Sequence, residues 1–457
     1  MIGWLDAALD YIPSWIDHQV RRHRQPGCAL AIVRDGKVVL EHAAGSANLD
    51  TGRKLTPRHL QRIASHSKAY TAAAVMKLRE AGWLCLDQPV GDHVSGLHRD
   101  IAALTLSQLL SHGGGLVRDG GDSGQWDDRR SFPDRATLLD DLRKAPILPP
   151  STRFKYSNHG FGLAGLVIEA VTSEPYTSWV AREIVAASGL KNTWPDAPVP
   201  ARRTRAQGHS MDLPLGRRIV IPGDNPTNAV AAATGFVSTA ADTARFFASL
   251  DPAAPDSVLS STSRREMTRT LWTENNGNGE LQYGLGLMSG RAGRWDWFGH
   301  GGAFQSCFSN TLVFRDRGLA VTVLSNAMDG MAKPWSEGIA SILQVFENGG
   351  APGARTRDWC GRWWALWGTV DLVPMKDRVL VAAPDETDPF AGAAEIIVTG
   401  QDKGRFDKAS GLESVGEPAV LKRNRRGRVT EVRLAGGIAL PEHRFAAELK
   451  RRTAKGR

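Results

Sequence analysis

Ser65-His66-Ser67-Lys68-Ala69-Tyr70-Thr71-Ala72-Ala73-Ala74-Val75-Met76 follows the apolar pair Ile63-Ala64 and leads into a run of strong helix formers. A serine and a lysine three positions apart share one face of a helix. At the first turn of that helix, unpaired backbone N–H groups and the positive dipole end surround the serine hydroxyl. Such a serine becomes a nucleophile when the lysine is neutral enough to take its proton. That chemistry is acyl transfer, and it requires no metal and no cofactor. A second Ser-x-x-Lys, Ser188 to Lys191, is followed by Gly189, Asn192, Thr193 and Pro195, which stop a helix rather than start one.

The 457 residues are enough for two domains, and the 42% hydrophobic and 23% charged fractions are those of a globular protein with a sizeable core. No run of about 18 apolar residues exists, so no membrane span is expected. The start, Met1-Ile2-Gly3-Trp4-Leu5-Asp6, lacks a basic stretch followed by an apolar one, so a cytoplasmic location is expected. Cys28, Cys85, Cys307 and Cys360 are scattered without metal-ligand spacing and read as buried free thiols of a reducing compartment. No His-Glu-x-x-His occurs among the twelve histidines, and no metal site is expected. Most of the net charge of +9 lies in residues 401–457, where 15 Lys/Arg face 7 Asp/Glu. Arg426-Gly427-Arg428 there reads as a solvated hairpin turn and Lys450–Arg457 as a frayed tail, which argues against a nucleic-acid surface.

Cys28–Val33 and Val38–Leu40, separated by Arg34-Asp35-Gly36-Lys37, carry a β-hairpin signal. A second hairpin is expected where Thr311–Phe314 and Ala320–Leu324 flank Arg315-Asp316-Arg317-Gly318. Residues 65–250 are mostly helical in pattern, and residues 1–24 read as an amphipathic helix with Pro13 as a kink. The expected first domain, residues 1–348, is α+β: an antiparallel sheet built from both ends, flanked by helices, with an inserted all-α region. After the Gly/Pro-rich stretch 348–354, strand-like pieces at Trp363–Leu372, Arg378–Ala382, Glu395–Val398, Ala419–Leu421 and Val429–Leu434 point to a small β-barrel over 349–457.

Two further motifs accompany Ser65. Tyr156-Ser157-Asn158 holds the one tyrosine of five with Asn two positions on; a phenol can share a lysine's proton, and an asparagine can bind both an ammonium and a substrate amide. His300-Gly301-Gly302-Ala303 reads as a strand edge whose glycines let a substrate backbone approach. His112-Gly113-Gly114-Gly115 has the look of a lipase oxyanion loop, but no Gly-x-Ser-x-Gly elbow exists. His112 is read as a loop residue at a helix end that can line the cleft, and Gly121-Asp122-Ser123-Gly124 as a turn.

In this order and at these separations, Ser65-x-x-Lys68, Tyr156-x-Asn158 and His300-Gly301-Gly302 resemble the penicillin-recognising serine hydrolases. These comprise class C β-lactamases, D,D-carboxypeptidases, β-lactamase-like esterases and D-aminopeptidases. Arg62-Ile63-Ala64-Ser65, Leu86–Val90, Leu104–His112 and Thr234–Ala240 support the resemblance, which covers about residues 10–345. It implies that Ser65 is the acylated nucleophile, Lys68 its proton acceptor and Tyr156 the relay to the leaving group. Asn158 would hold Lys68 and substrate, and the N–H groups of Ser65 and Ala303 would form the oxyanion hole. Which of Lys68 and Tyr156 is the base stays open.

Position 300 narrows the choice. The β-lactamases and D,D-carboxypeptidases usually carry Lys-Thr-Gly there, and its charge holds a substrate carboxylate. Histidine is mostly neutral near pH 7, and Gly301 has no hydroxyl. With the β-rich tail, this resembles the D-aminopeptidases and their amidase relatives. The reading is hydrolysis of D-amino-acid amides or short peptides through an acyl-serine. A carboxylesterase stands second, a penicillin-hydrolysing or D,D-carboxypeptidase enzyme third, and an inactive binding or scaffold module is the non-enzyme alternative. A small-molecule or short-peptide substrate is the expected partner, and a homo-oligomer stays open.

Overall fold

A computed structural model describes residues 3–212, 215–275, 280–409 and 414–455. The chain divides into two compact units, residues 24–336, and residues 1–23 with 337–457. The helix Trp4–Arg22 therefore groups with the C-terminal residues.

In the unit 24–336, Asp35 and Gly36 both take positive φ, 50° and 75°, as a two-residue hairpin turn requires. They join β1 (Gly27–Arg34) to β2 (Lys37–Asn48). The sheet continues with β3 (Arg53–Lys54), β4 (Trp272–Asn275), β5 (Glu280–Tyr283), β6 (Met288–Ala292), β7 (Trp295–Phe304), β8 (Cys307–Phe314) and β9 (Leu319–Ser325). Its order is β3-β2-β1-β9-β8-β7-β6-β5-β4. β1 and β9 pair antiparallel from Cys28↔Ser325 to Arg34↔Leu319, so strands from both ends of this unit meet at the sheet's centre. β1 is buried on both faces, whereas β2 alternates exposed and half-buried residues over its first half.

The helical region lies between β3 and β4 in sequence. Its central helix, α1 (Ser67–Glu80), is buried on every side over its first ten residues. Ala69, Ala72, Ala73 and Ala74 make that possible, because small side chains let neighbouring elements approach from several directions. α2 (Asn158–Thr172) is capped by Ser157, whose Oγ accepts the Gly160 N–H at 2.9 Å. α3 (Ala240–Ser249) is capped in the same way by Thr239. Among the described residues, no helix is long and apolar enough to cross a membrane.

The second unit holds β10 (Gly361–Ala365), β11 (Gly368–Met375), β12 (Arg378–Ala382), β13 (Ala394–Gly400), β14 (Lys403–Lys408), β15 (Pro418–Arg423), β16 (Val429–Leu434) and β17 (Gly437–Ala439). They pair in sequence order. Trp364 and Leu440 exchange both backbone hydrogen bonds, at 2.8 and 2.9 Å, which nearly closes the barrel around Trp359, Val379, Ile396, Ala419 and Val432.

Several expectations are corrected. Trp363–Leu372 is not one strand but the hairpin of β10 and β11, turning at the exposed Leu366-Trp367. Lys450–Lys455 is helical, within Glu442–Lys455, because the segment Phe445-Ala446-Ala447-Glu448-Leu449 before it propagates a helix. Residues 456–457 of the expected tail lie outside the described residues. All four cysteines are free, but only Cys28 and Cys307 are buried; Cys85 and Cys360 sit on exposed connections.

Arg62 fixes the approach to α1. Its buried guanidinium donates to the Asp196 carboxylate at 3.0 Å and to the carbonyls of Gly223, Gly235 and Asn225. Asp196 in turn accepts the N–H and hydroxyl of Thr227 at 2.8 and 2.9 Å. Removing one partner of a buried ion pair strands the other charge, at a cost of about 3–5 kcal/mol. Asp196→Ala is therefore expected to lower the unfolding free energy read from a urea titration by that amount; an unchanged midpoint contradicts this role.

Candidate active site

Ile63, Ala64 and Ser65 form a tight turn. Ile63 donates its N–H to Phe236 O at 3.0 Å, and Ala64 is held at φ 49°, a left-handed conformation unfavourable for a residue with a Cβ. A single 3₁₀ turn, Ala64–His66, then feeds α1. Ser67 ties the turn down: its hydroxyl donates to Ala64 O at 2.5 Å and accepts the Phe236 N–H at 3.0 Å. Ser65 is left half-buried at the floor of a cleft of about 980 Å³.

Lys68 lies under Ser65 and is fully buried. Its Nζ is 2.7 Å from Asn158 Oδ1, 2.9 Å from Ala233 O and 3.3 Å from Ser65 Oγ. The rings of Tyr156 and Phe161 lie 4.6 and 5.3 Å from the same atom. Two of its three polar neighbours are carbonyls, which only accept. They claim two N–H bonds and leave the third direction for Ser65, filled by a proton in the ammonium and by a lone pair in the amine. Burial holds the Lys68 pKa well below the usual lysine value; Asp119 opposes that shift and Arg118 adds to it. That lowering favours the free amine, whose lone pair then faces the serine.

Tyr156 OH donates to Ser65 Oγ at 2.8 Å. Burial pushes the phenol above its ordinary range, with the Ser65 contact working against that rise, so it stays protonated. Ser157 caps α2, and this places Tyr156 and Asn158 on either side of the cap. His112 supports the arrangement from behind rather than lining the cleft. It is buried, its Nδ1 accepts the Ser157 N–H at 3.1 Å, and its ring lies 4.2 Å from that of Tyr156.

The opposite wall is β7. β6 pairs with it only as far as Met288↔Gly299, so among the described residues His300 to Phe304 have no ladder partner on that flank. His300, Gly301, Gly302 and Ala303 line the cleft there with Ser65, Tyr156 and Asn158. Gly302 is required by close approach: a Cβ at this position meets Ile63 O at 2.4 Å and Ala64 Cβ at 3.1 Å. The His300 ring is 1% exposed; its Nδ1 faces Gly301 O at 2.5 Å and its Nε2 faces Tyr283 OH at 3.1 Å. That pattern fits a neutral ring donating from Nδ1 and accepting from Tyr283. Burial and the nearby Lys68 hold its pKa well below the histidine value.

All eight residues expected from the sequence thus come together, with Lys68 beneath the cleft floor. Sequence reasoning missed Asp119, Tyr283, His66 and the Ala233 carbonyl. His66 adjoins the serine, yet its ring turns into the sheet, to Thr311 Oγ1 at 2.8 Å and Ile63 O at 3.0 Å. Burial lowers its pKa to about 3, so it is neutral and turned away from Ser65. The Ser-x-x-Lys decoy at Ser188 lies at a helix end, its N–H bonded to Ile184 O.

Residues 12–344 match the family described as Beta-lactamase. Protein flp of Staphylococcus aureus (strain MW2) is 30% identical over 189 residues, 40% of this chain and 37% of that protein. The chain thus spans little more than a third of the length of that relative. The octameric penicillin-binding protein homologue from Pyrococcus abyssi superposes with a TM-score of 0.66 at 22% identity, covering 94% of this chain and 99% of that one. The D-amino acid amidase from Ochrobactrum anthropi SV3 gives 0.64 at 24% identity, covering 74% and 99%.

Gly302→Val is expected to force β7 away from the Ser65 turn and to slow acylation by about 10²-fold, the scale of a lost oxyanion donor or a misplaced reacting group. Fluorophosphonate labelling rates read this out, with circular dichroism unchanged. Labelling at the wild-type rate contradicts the close packing.

Proposed function

This chain belongs to the beta-lactamase family, and on that premise we propose that it hydrolyses amide or ester bonds through an acyl-serine at Ser65. The observation that carries the reading is the position of Lys68, whose third direction points at the Ser65 hydroxyl while two carbonyls hold the others. Ser65 Oγ attacks the substrate carbonyl carbon as its proton passes to the Lys68 amine. The N–H groups of Ser65 and Ala303 take the developing oxyanion. The carbon–nitrogen or carbon–oxygen bond then breaks, and the leaving group takes a proton from Tyr156, which Lys68 replenishes. Water repeats the sequence in reverse, gives the acid product and restores Ser65.

The preferred substrates are D-amino-acid amides or short peptides. The neutral, enclosed His300 offers no fixed charge to a carboxylate. Asp127, whose carboxylate accepts from Arg129 at 2.8 Å, lines the cleft together with Trp126 and Phe308, a lining that suits an amine next to an apolar side chain. The fold likeness to a D-amino acid amidase agrees with this choice. A carboxylesterase is the second reading, because Ser65, Lys68 and Tyr156 in this arrangement can acylate from an ester as well as from an amide. A homo-oligomer accords with the octameric homologue, and light scattering tests it.

The expected rate order is D-alanine p-nitroanilide, then p-nitrophenyl acetate, then nitrocefin, all abolished in Ser65→Ala. A nitrocefin rate far above the others overturns the substrate assignment. The pH profile follows from Lys68. The working form is the free amine, so activity falls as pH drops through its pKa; because burial lowers that pKa, the acid limb lies below the usual lysine range. A rate that keeps rising to pH values at which exposed lysines deprotonate contradicts this.

A further inference from the structure

Asp119 belongs to none of the three motifs, yet it touches the residue that holds Lys68. Its Oδ1 accepts Asn158 Nδ2–H at 2.6 Å, its Oδ2 accepts Arg118 Nε–H at 3.0 Å, and its side chain is only 11% exposed. A carboxylate only accepts, whereas a carboxamide has one donating and one accepting end. The Asp119 carboxylate therefore decides which end of Asn158 faces it. The other end, Oδ1, is thereby turned onto Lys68 Nζ at 2.7 Å. Without that carboxylate the amide is free to turn its NH₂ toward Nζ, setting donor against donor.

We propose that Asp119 is a positioning residue of this site, acting through Asn158 to aim the third direction of Lys68 at Ser65. The proposal rests on the reading of Ser65 as nucleophile and Lys68 as acceptor. It has an electrostatic side as well. The groups facing Lys68 are Asp119 and Arg118 from the loop that follows the helix Leu106–Leu110, His112 from the same loop, Tyr156 and Asn158 at the head of α2, and His300 from β7. Asp119 is the carboxylate in that set. Its loss removes the charge that favours the ammonium, and the amine becomes the resting form at lower pH.

Asp119→Asn removes the charge and, having one donating and one accepting end itself, no longer fixes which end of Asn158 faces it, whereas Asp119→Glu keeps both. In Asp119→Asn, kcat on the best substrate of the panel is expected to fall by about 10²-fold, the scale of a misaimed catalytic group. KM should stay within about threefold, and the acid limb of kcat/KM should move to lower pH. Asp119→Glu keeps the charge and the acceptor, and should restore the acid limb and part of kcat. Fluorophosphonate labelling of Ser65, followed by mass spectrometry, runs alongside, and thermal melts check folding. Labelled Ser65 with unchanged kcat and pH profile in Asp119→Asn overturns this inference alone. A rise confined to KM also overturns it, because it marks a substrate contact. A wild-type chain that is never labelled at Ser65 overturns the underlying reading too.

Discussion

Enclosing the Lys68 amine between a helical region and a sheet is the constraint on which the site depends. A fully buried ammonium is costly, and a chain accommodates it by pairing the charge or releasing the proton. Here the nearest polar atoms are two carbonyl oxygens and a serine hydroxyl, with Asp119 reaching Lys68 only through the amide of Asn158. The carbonyls satisfy the N–H bonds of a neutral amine and leave its lone pair on the serine side. A lysine with a carboxylate in direct contact would keep its proton and could not accept another.

The fold produces that enclosure by bringing distant segments onto one helix. α1 carries Ser65's turn at its start and Lys68 in its first turn. Its alanines let α2 and the Ala231–Thr234 segment come close enough for Asn158 and Ala233 to reach Nζ. From the other side β7 runs past the end of β6 and lays Gly302 against the Ile63-Ala64 backbone. Arg62 anchors the strand segment just before the serine to four acceptors. The positive φ of Ala64 is tolerated because contacts on both sides over-determine the turn.

What the sequence reveals tracks how local each determinant is. Ser65 and Lys68 are three apart on one helix, and Tyr156 and Asn158 flank a serine cap, so each pair is legible from spacing. The hairpins around Asp35-Gly36 and Asp316–Gly318 are legible because turn chemistry is local, and β1 beside β9 follows from the apolar runs. Asp119 was not legible, since its role exists only through an amide 39 residues away. The Ala233 carbonyl has no residue signature at all. The placement of the His300 ring depends on Tyr283 from another strand. In the barrel, β14 reads as charged and β17 is short, so neither shows an apolar run, while Leu366-Trp367 hides a turn behind apolar side chains.

The central claim concerns the protonation of one buried side chain, and it can be read directly. Selective ¹³C labelling of lysine side chains, with assignment by Lys68→Arg, follows the Cε resonance of Lys68 through a pH titration. The account predicts that Lys68 titrates well below the ordinary lysine value of about 10.4. A Lys68 resonance that titrates together with the exposed lysines contradicts it.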